Sequence, residues 1–117
     1  MRLDRLQAFA LGLPHATFVK QWGETLVFKI GGKMFLIVSL DGDIAEAIAF
    51  KCSPADYQRL TTEVDGIRPA SHNLHKAHWV TLEDPEALTE TQIRTQVRAA
   101  YDLIRAALPK KLQATLK

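Results

Sequence analysis

The spacing of apolar and polar residues divides the chain into helical and extended segments. Over residues 2–12 the apolar positions recur at helical spacing, which predicts an N-terminal helix. From Thr17 the period changes to two, and residues 25–30 alternate as a half-buried strand. Gly31 and Gly32 supply the positive φ angles of a two-residue turn, so this strand and the apolar stretch after it form a hairpin. An antiparallel sheet is therefore the expected architecture.

The middle of the chain continues the sheet and adds a second helix. A turn at residues 41–43 leads into another alternating stretch, in which Phe50 and Cys52 face inward. Ser53 is followed by a proline and an acid, which is the pattern of a helix start. We expect this helix to run to about Glu63.

The last third of the chain predicts one more strand and a long final helix. Residues 78–82 read as the strand, and Thr89 with Gln92 makes a capping box that opens the helix. The apolar face of this helix continues to Leu108, so the helix packs on the sheet. The predicted fold class is α+β, with an antiparallel sheet packed by an N-terminal, a middle and a long C-terminal helix.

Composition and charge narrow the class of protein. The 117 residues are 47% hydrophobic and 24% charged, which fits a single globular domain over residues 1–117. No apolar run approaches the roughly 18 residues that span a bilayer, so we expect a cytoplasmic protein without a membrane segment. Cys52 is the single cysteine, which excludes an internal disulfide and a cysteine-rich zinc site. The net charge of +2 favours at most weak binding to a polyanion.

Several short motifs along the chain are specific enough to identify a family resemblance. They are Trp22-Gly23, the Gly-Gly-Lys hairpin at residues 31–33, Arg68-Pro69 and Lys76-Ala77-His78-Trp79. Their order is typical of the MmcQ/YjbR family. This resemblance covers nearly the whole chain and implies a small α+β domain with a curved antiparallel sheet, similar to secretion chaperones and described in the family as a double wing. Members are commonly labelled DNA-binding proteins, so the resemblance also implies that role.

Three histidines lie in one short stretch, at His72, His75 and His78. On a strand His75 would point away from the other two, and on a helix the three would spread over about 120°. No thiolate or patterned carboxylate nearby completes a tetrahedral site. We therefore expect no metal.

Cys52 has two interpretations. It precedes a helix start, where the helix dipole favours a thiolate nucleophile, and it also closes an inward-facing apolar row, where a cysteine is inert. The buried interpretation is favoured. The chain also lacks a glycine-rich phosphate loop, so we expect no cofactor, no catalytic residue and no enzymatic activity.

The polar residues outside the core rows form a candidate binding surface. Strand alternation points Lys29 away from the core, and His72 and Trp22 belong to the same polar surface. Such cations contact phosphates, and an exposed tryptophan stacks on a base; the alternative is a set of solvated lysines around one buried tryptophan. The candidate nucleic-acid-binding residues are Lys33, Lys51, Arg68, His75, Lys76 and Trp79. Alternation places Trp79 on the face opposite Val80, and we expect the loop at residues 72–76 to bury it in part.

The final helix carries a second basic row of Arg94, Arg98 and Arg105. This row either follows a phosphate backbone or flanks the core with its aliphatic stems, and the second interpretation is favoured.

Two functions remain open. The first hypothesis is a non-enzymatic domain that binds DNA weakly and in a salt-sensitive way. The alternative is a protein-interaction module, similar to a chaperone, that holds a partner segment on the sheet. The sequence indicates neither the identity of the partner nor the oligomeric state, for which a monomer is favoured.

Overall fold

The structure is a computed structural model that describes residues 1–21, 23–42 and 44–116. Trp22 and the last residue of the predicted 41–43 turn lie outside the described residues. The described part contains four α-helices, six strands and one 3₁₀ helix. In chain order these are α1 (Leu3–Leu11), β1 (Thr17–Gln21), β2 (Thr25–Ile30), β3 (Lys33–Asp41), β4 (Ile44–Lys51), α2 (Pro54–Glu63), β5 (Ile67–Pro69), the 3₁₀ helix (Leu74–Ala77), β6 (Trp79–Leu82), α3 (Glu90–Ala106) and α4 (Lys110–Thr115).

The six strands form one curved antiparallel sheet in the order β1-β2-β3-β4-β6-β5. β1 to β4 are sequential neighbours, whereas the chain after β4 passes through α2 to the outer strand β5 and returns to place β6 between β4 and β5. Bulges interrupt the β2–β3 and β3–β4 registers, and bulges bend the strands that carry them. The expected α+β class with an antiparallel sheet is confirmed.

One face of the sheet carries the hydrophobic core. Directly paired residues share a face, and a buried row crosses four strands through Leu26, Val38, Ile48 and Leu82. α3 packs across β3 and β4, and α1 packs against α3. Burial of each such leucine or isoleucine contributes about 1.5–3 kcal/mol. The helical residues buried in this core are Leu6 and Ala10 of α1, Leu60 of α2, and Ile93, Val97, Ala100 and Tyr101 of α3.

The opposite face, called the open face below, carries the alternate residues of each strand. Its central row runs from Val19 and Val27 through Ile37, Ala49 and Thr81, and it ends at Arg68 on β5. The core on the other face takes up the buried residues of the helices. The open face is instead bordered by the loop between β5 and β6.

The predicted turn and helix starts are present. Gly31 and Gly32 both have positive φ, at 58° and 79°, as a tight hairpin requires. The backbone N–H of Asp56 donates to the Ser53 hydroxyl at 3.1 Å, which caps α2 and stabilises it by about 1 kcal/mol. The capping box at the start of α3 is also formed.

The final helix differs from the expected single long helix. α3 ends at Ala106, and the separate helix α4 begins at Lys110. Pro109 causes the break, because proline has no backbone N–H and its ring clashes with the carbonyl four residues earlier. Leu108 nevertheless remains buried, as the apolar face predicted.

In the described residues, no helix has both the length and the apolar content needed to cross a membrane.

Candidate functional site

The open face holds a groove of about 700 Å³, called the open-face groove below. Strands β2, β3, β4 and β6 form its floor, and β5 with the loop at residues 70–78 forms one wall. The lining residues are Thr25, Met34, Ile37, Ser39, Ala47, Ala49, Arg68, Ala70, Ser71, His72, Leu74 and Thr81. This volume lies within the usual range of ligand pockets, about 300–1,000 Å³.

Small side chains give the groove its depth. Ala47 and Ala49 occupy alternate positions of β4, and Ser39 lies directly opposite Ala47 on β3. Central strands usually carry β-branched or aromatic side chains, so a run of small residues leaves space above the sheet. Ile37 and Met34 add apolar surface next to this space. The floor is therefore mainly aliphatic, with hydroxyl groups among the apolar side chains.

The ionisable side chains that line the groove are Arg68 and His72. Both types of side chain can carry positive charge, and no described acidic residue is part of the lining. Arg68 forms a salt bridge with Glu83, in which both side chains are more than half exposed. An exposed pair of this kind contributes about 0–1 kcal/mol, so a ligand carboxylate can replace Glu83 at little cost.

The loop at residues 70–78 has an unusual backbone. His72, Asn73 and His78 have positive φ angles of 57°, 67° and 64°, and they flank the 3₁₀ helix. Left-handed backbone is disfavoured for residues other than glycine, although Asn and His adopt it more readily than most. Such conformations cluster at binding and catalytic sites, where the surrounding structure holds them in place.

The neighbouring strands hold the loop at both ends. The Ala70 N–H donates to the Trp79 carbonyl at 3.0 Å, and the Cys52 N–H donates to the His78 carbonyl at 2.9 Å. The His78 ring packs edge-on against Tyr57 of α2, with ring centroids 5.4 Å apart. These contacts make the loop a fixed wall of the groove.

Two of the predicted binding residues also hold this wall. Lys51 and Trp79 are opposite each other on β4 and β6, on the open face. The Lys51 amine donates to the Ala77 carbonyl at 2.6 Å, which ties β4 to the 3₁₀ helix. Trp79 is on the face opposite Val80, as expected, but it is 3% exposed and therefore more fully buried than predicted. Its ring has no free face on which a base could stack.

The other predicted binding residues lie in three places. Arg68 lines the groove, and His75 and Lys76 are exposed on the 3₁₀ helix beside it. Lys33 is exposed at the hairpin and pairs with Ile30, a residue of the core face, so it lies apart from the others. The structure thus brings four of the predicted residues, including Lys51, to one side of the groove.

The basic row on α3 is engaged within the protein. Arg94 pairs with Glu90 at 2.9 Å, and Arg98 pairs with Asp102 at 3.4 Å. Arg105 donates to the Leu116 carbonyl at 2.8 Å. These contacts agree with arginines that flank the core.

Cys52 is buried and its thiol is unreactive. It is 2% exposed and belongs to the core cluster. Burial, together with a smaller effect of the negative charge of Asp56, raises the pKa of its thiol to about 12, and the charges of Arg59 and Lys51 act in the opposite direction. The thiol is therefore protonated at neutral pH, in agreement with the buried interpretation.

The three clustered histidines face different surroundings. His72 lines the groove, His75 is exposed on the 3₁₀ helix, and His78 packs on Tyr57. Across residues 1–21, 23–42 and 44–116, the structure brings no three His, Cys, Asp or Glu side chains into an arrangement that could hold a metal ion.

Sequence reasoning did not find most of the groove residues. The signal that could have found them is in β4, where Ala45, Ala47 and Ala49 alternate in a strand otherwise rich in larger residues. Alternation places Ala47 and Ala49 on the face away from the core, where small side chains in a central strand indicate a cavity or a close approach.

The arrangement defines a small α+β domain with one covered and one open sheet face. A model of the YjbR family matches residues 11–103. The uncharacterized protein YbdF of Escherichia coli O157:H7 is 30% identical over 116 residues, which cover 97% of this chain and 93% of that protein. The chain therefore belongs to the YjbR family.

A solved structure has the same fold. The crystal structure of Deinococcus radiodurans protein DR2400, with the domain DUF419, matches with a TM-score of 0.81 and 24% sequence identity. The match covers 98% of this chain and 87% of that chain. At this identity the likeness extends to the fold alone.

Proposed function

We propose that the protein is a non-enzymatic binding domain that holds an extended segment of a partner protein in the open-face groove. The observation that carries this proposal is the lining of the groove, which combines an aliphatic floor with Arg68 and His72 at its border and contains no described acidic residue. A segment with aliphatic side chains and a carboxylate is the complement of this lining. Apolar burial supplies affinity, at about 25 cal/mol per Å², and the carboxylate fixes the orientation.

The type of apolar surface favours a peptide over a nucleic acid. The larger apolar side chains of the lining are Met34, Ile37 and Leu74, all of them aliphatic. Single-stranded nucleic acids bind mainly by stacking bases on aromatic rings, and the Trp79 ring is buried. Aliphatic side chains of an extended peptide fit such a floor better than flat bases do.

The backbone conformation of the loop at residues 70–78 also supports a binding site in the open-face groove. Positive φ at His72 and Asn73 sets the wall next to the small residues of β4. A wall held in a disfavoured conformation is ready for its ligand before binding, so less ordering entropy is lost in the complex.

A peptide selection with a groove-filled variant tests the proposal. The wild-type protein is panned against a random peptide library, and Ala49→Leu is the counter-selection, because leucine at this position fills the floor. We expect the enriched peptides to combine aliphatic residues with an acidic residue or a free carboxylate. Their affinity for A49L should fall at least about tenfold, which corresponds to a loss of about 1.4 kcal/mol of binding free energy.

The matched control is Ala8→Leu, the same substitution at an exposed position of α1. It should bind the selected peptides as the wild type does. The proposal fails if no peptide prefers the wild type over A49L, or if A8L weakens binding as much as A49L does.

Nucleic-acid binding is the second candidate function, and one observation favours it. The Lys51 amine is held at the Ala77 carbonyl of the 3₁₀ helix, on which His75 and Lys76 are exposed, so two lysines and a histidine gather at one corner. With a net charge of +2, we expect non-specific affinity of about 10⁻⁴–10⁻⁶ M that decreases with salt.

Titration of labelled duplex DNA at about 50 mM salt tests this candidate. Lys76→Glu should weaken binding and reduce the salt dependence by about one phosphate contact, whereas Lys110→Glu on α4 should have a smaller effect. Absence of binding at this salt concentration, or equal losses in both variants, would rule it out.

A further inference from the structure

The two edges of the sheet differ in how well they are protected. β5 is three residues long, contains Pro69 and packs against α2, all of which discourage pairing with another strand. β1 is five residues long without proline, and no strand among the described residues pairs with its outer edge. Phe18 and Val19 on this edge are 45% and 41% exposed. β1 therefore has the features of an edge that accepts a further strand.

The hairpin determines which backbone groups of β2 point toward β1. In a two-residue turn the flanking residues, here Ile30 and Lys33, exchange hydrogen bonds with each other. Because the direction alternates along a strand, the even-numbered residues of β2 point toward β3. The Glu24 carbonyl agrees, since it accepts a hydrogen bond from the Leu40 N–H on the β3 side at 2.7 Å.

The odd-numbered residues of β2 consequently point toward β1. Val27 is the partner of Val19, so the backbone groups of Val19 are used within the sheet. The N–H and carbonyl groups of Phe18 and Lys20 point in the opposite direction, away from β2. These groups are the ones available to an added strand.

We propose that β1 pairs antiparallel with β1 of a second copy of this chain, in a register centred on Val19. In this register Phe18 lies opposite Lys20 of the second copy, and the outward groups of both residues make four backbone hydrogen bonds across the twofold axis. Val19 lies opposite Val19 of the second copy as a close pair without hydrogen bonds. The two sheets join into one sheet of twelve strands.

The side chains on this edge are self-complementary in the same register. Phe18 stacks on Phe28, with ring centroids 5.6 Å apart, so its ring lies on the face that also carries the side chain of Lys20. Pairing places the Lys20 amine of each copy beside the Phe18 ring of the other, which is a favourable cation–π arrangement. On the open face the two Val19 side chains bury each other.

The present partner of Lys20 does not prevent this arrangement. Lys20 lies 3.3 Å from Glu24, and both side chains are more than half exposed. Such a pair contributes about 0–1 kcal/mol, so the amine can move to the aromatic ring. A dimer formed in this way replaces the expectation of a monomer. The dimer uses β1, whereas the proposed peptide binding uses the open-face groove, so each of these two proposals can fail without the other.

The interface is small, and the dimer is therefore weak. One added strand pair falls in the size class of transient complexes, below about 1,200 Å² in total. Each copy carries a net charge of +2, so salt should strengthen the association by screening the mutual repulsion. This salt dependence is opposite in sign to that of nucleic-acid binding.

Sedimentation velocity as a function of concentration tests the proposal. The mass should rise from 13.1 kDa toward twice that value. Val19→Lys places two like charges against each other at the twofold axis, so it should weaken the association at least about tenfold. Ile44→Lys is the matched control, because Ile44 is 70% exposed and lies outside β1. It should dimerise as the wild type does.

Amide hydrogen exchange in the wild-type protein is a second measurement that needs no variant. The amides of Phe18 and Lys20 should become protected as the concentration rises, whereas that of Val19 should be protected at all concentrations. A monomeric mass up to about 1 mM overturns the proposal, as does equal association of V19K and the wild type. Protection of the Phe18 and Lys20 amides that does not change with concentration also overturns it.

Discussion

Lys51 and Trp79 are cross-strand partners on the open face, and together they join the sheet to the loop that walls the groove. The Lys51 amine reaches the Ala77 carbonyl at 2.6 Å, while the Trp79 ring is 3% exposed. The sequence predicts ligand contact for this lysine and this tryptophan, whereas in the structure they hold the site together. Their substitution should therefore change stability before it changes binding.

Trp79→Ala should lower the free energy of unfolding by about 3–5 kcal/mol, because it removes a large buried ring and leaves a cavity. Trp79→Phe retains much of the volume and should cost less. Urea unfolding followed by circular dichroism measures both changes. An alanine variant with the stability of the wild type would contradict the burial of Trp79.

Lys51→Met should cost about 1 kcal/mol, since it removes the hydrogen bond to Ala77 while it keeps the aliphatic stem. Amide exchange within residues 70–78 should also become faster, because the loop loses a tether. Lys33→Met is the control for the loss of a lysine charge and should leave exchange in this loop unchanged. If both variants behave alike, the tether does not hold the loop.

Gly31→Ala should lower the free energy of unfolding more than Gly32→Ala does, although both glycines have positive φ. A Cβ at Gly32 has no neighbour within 4 Å, so this substitution costs only the left-handed backbone penalty of about 1–2 kcal/mol. A Cβ at Gly31 would lie 2.7 Å from Leu108 Cδ1, so repacking of the segment between α3 and α4 adds roughly 1 kcal/mol. Equal losses in the two urea unfolding curves would show that this segment does not pack on the hairpin.

The buried Cys52 thiol should make stability fall at alkaline pH. Its pKa rises from 9.0 to about 12 on folding, so the unfolded chain loses this proton at a lower pH than the folded protein does. The stabilisation is complete below the unfolded pKa and is lost as the pH rises from about 9 toward 12. Between pH 8 and 10 the wild type should lose about 1.4 kcal/mol more than Cys52→Ala. Parallel pH profiles of the two proteins would contradict this prediction.

Local sequence signals predicted the elements whose structure depends on neighbouring residues. The glycine pair of the hairpin, the Ser53 cap and the capping box at Thr89 each act within a few residues, and the structure contains all three. β5 escaped prediction because a three-residue strand shows too little alternation to be recognised. The end of α3 was predictable from Pro109, whose effect the long apolar face obscured.

The candidate site was less predictable because it depends on contacts between distant segments. Alternation placed Trp79 on the correct face, but its burial depends on the loop and on the tether from Lys51. The groove arises because the four α-helices of the described residues pack on the other face, and because positive φ at His72 and Asn73 positions the wall. A periodic pattern contains neither fact.

The most direct test of the proposed function is a chemical-shift titration of the isotope-labelled protein with N-acetyl-leucyl-leucine, a short peptide that combines aliphatic side chains with a free carboxylate. We predict saturable shifts at the floor of the groove and at Arg68, and their loss in Ala49→Leu but not in Ala8→Leu. The proposed function would be contradicted if no shifts occurred, or if the shifts were concentrated at Lys33 and on α3 instead of in the groove. The floor amides that should respond are Thr25, Ser39, Ala47, Ala49 and Thr81.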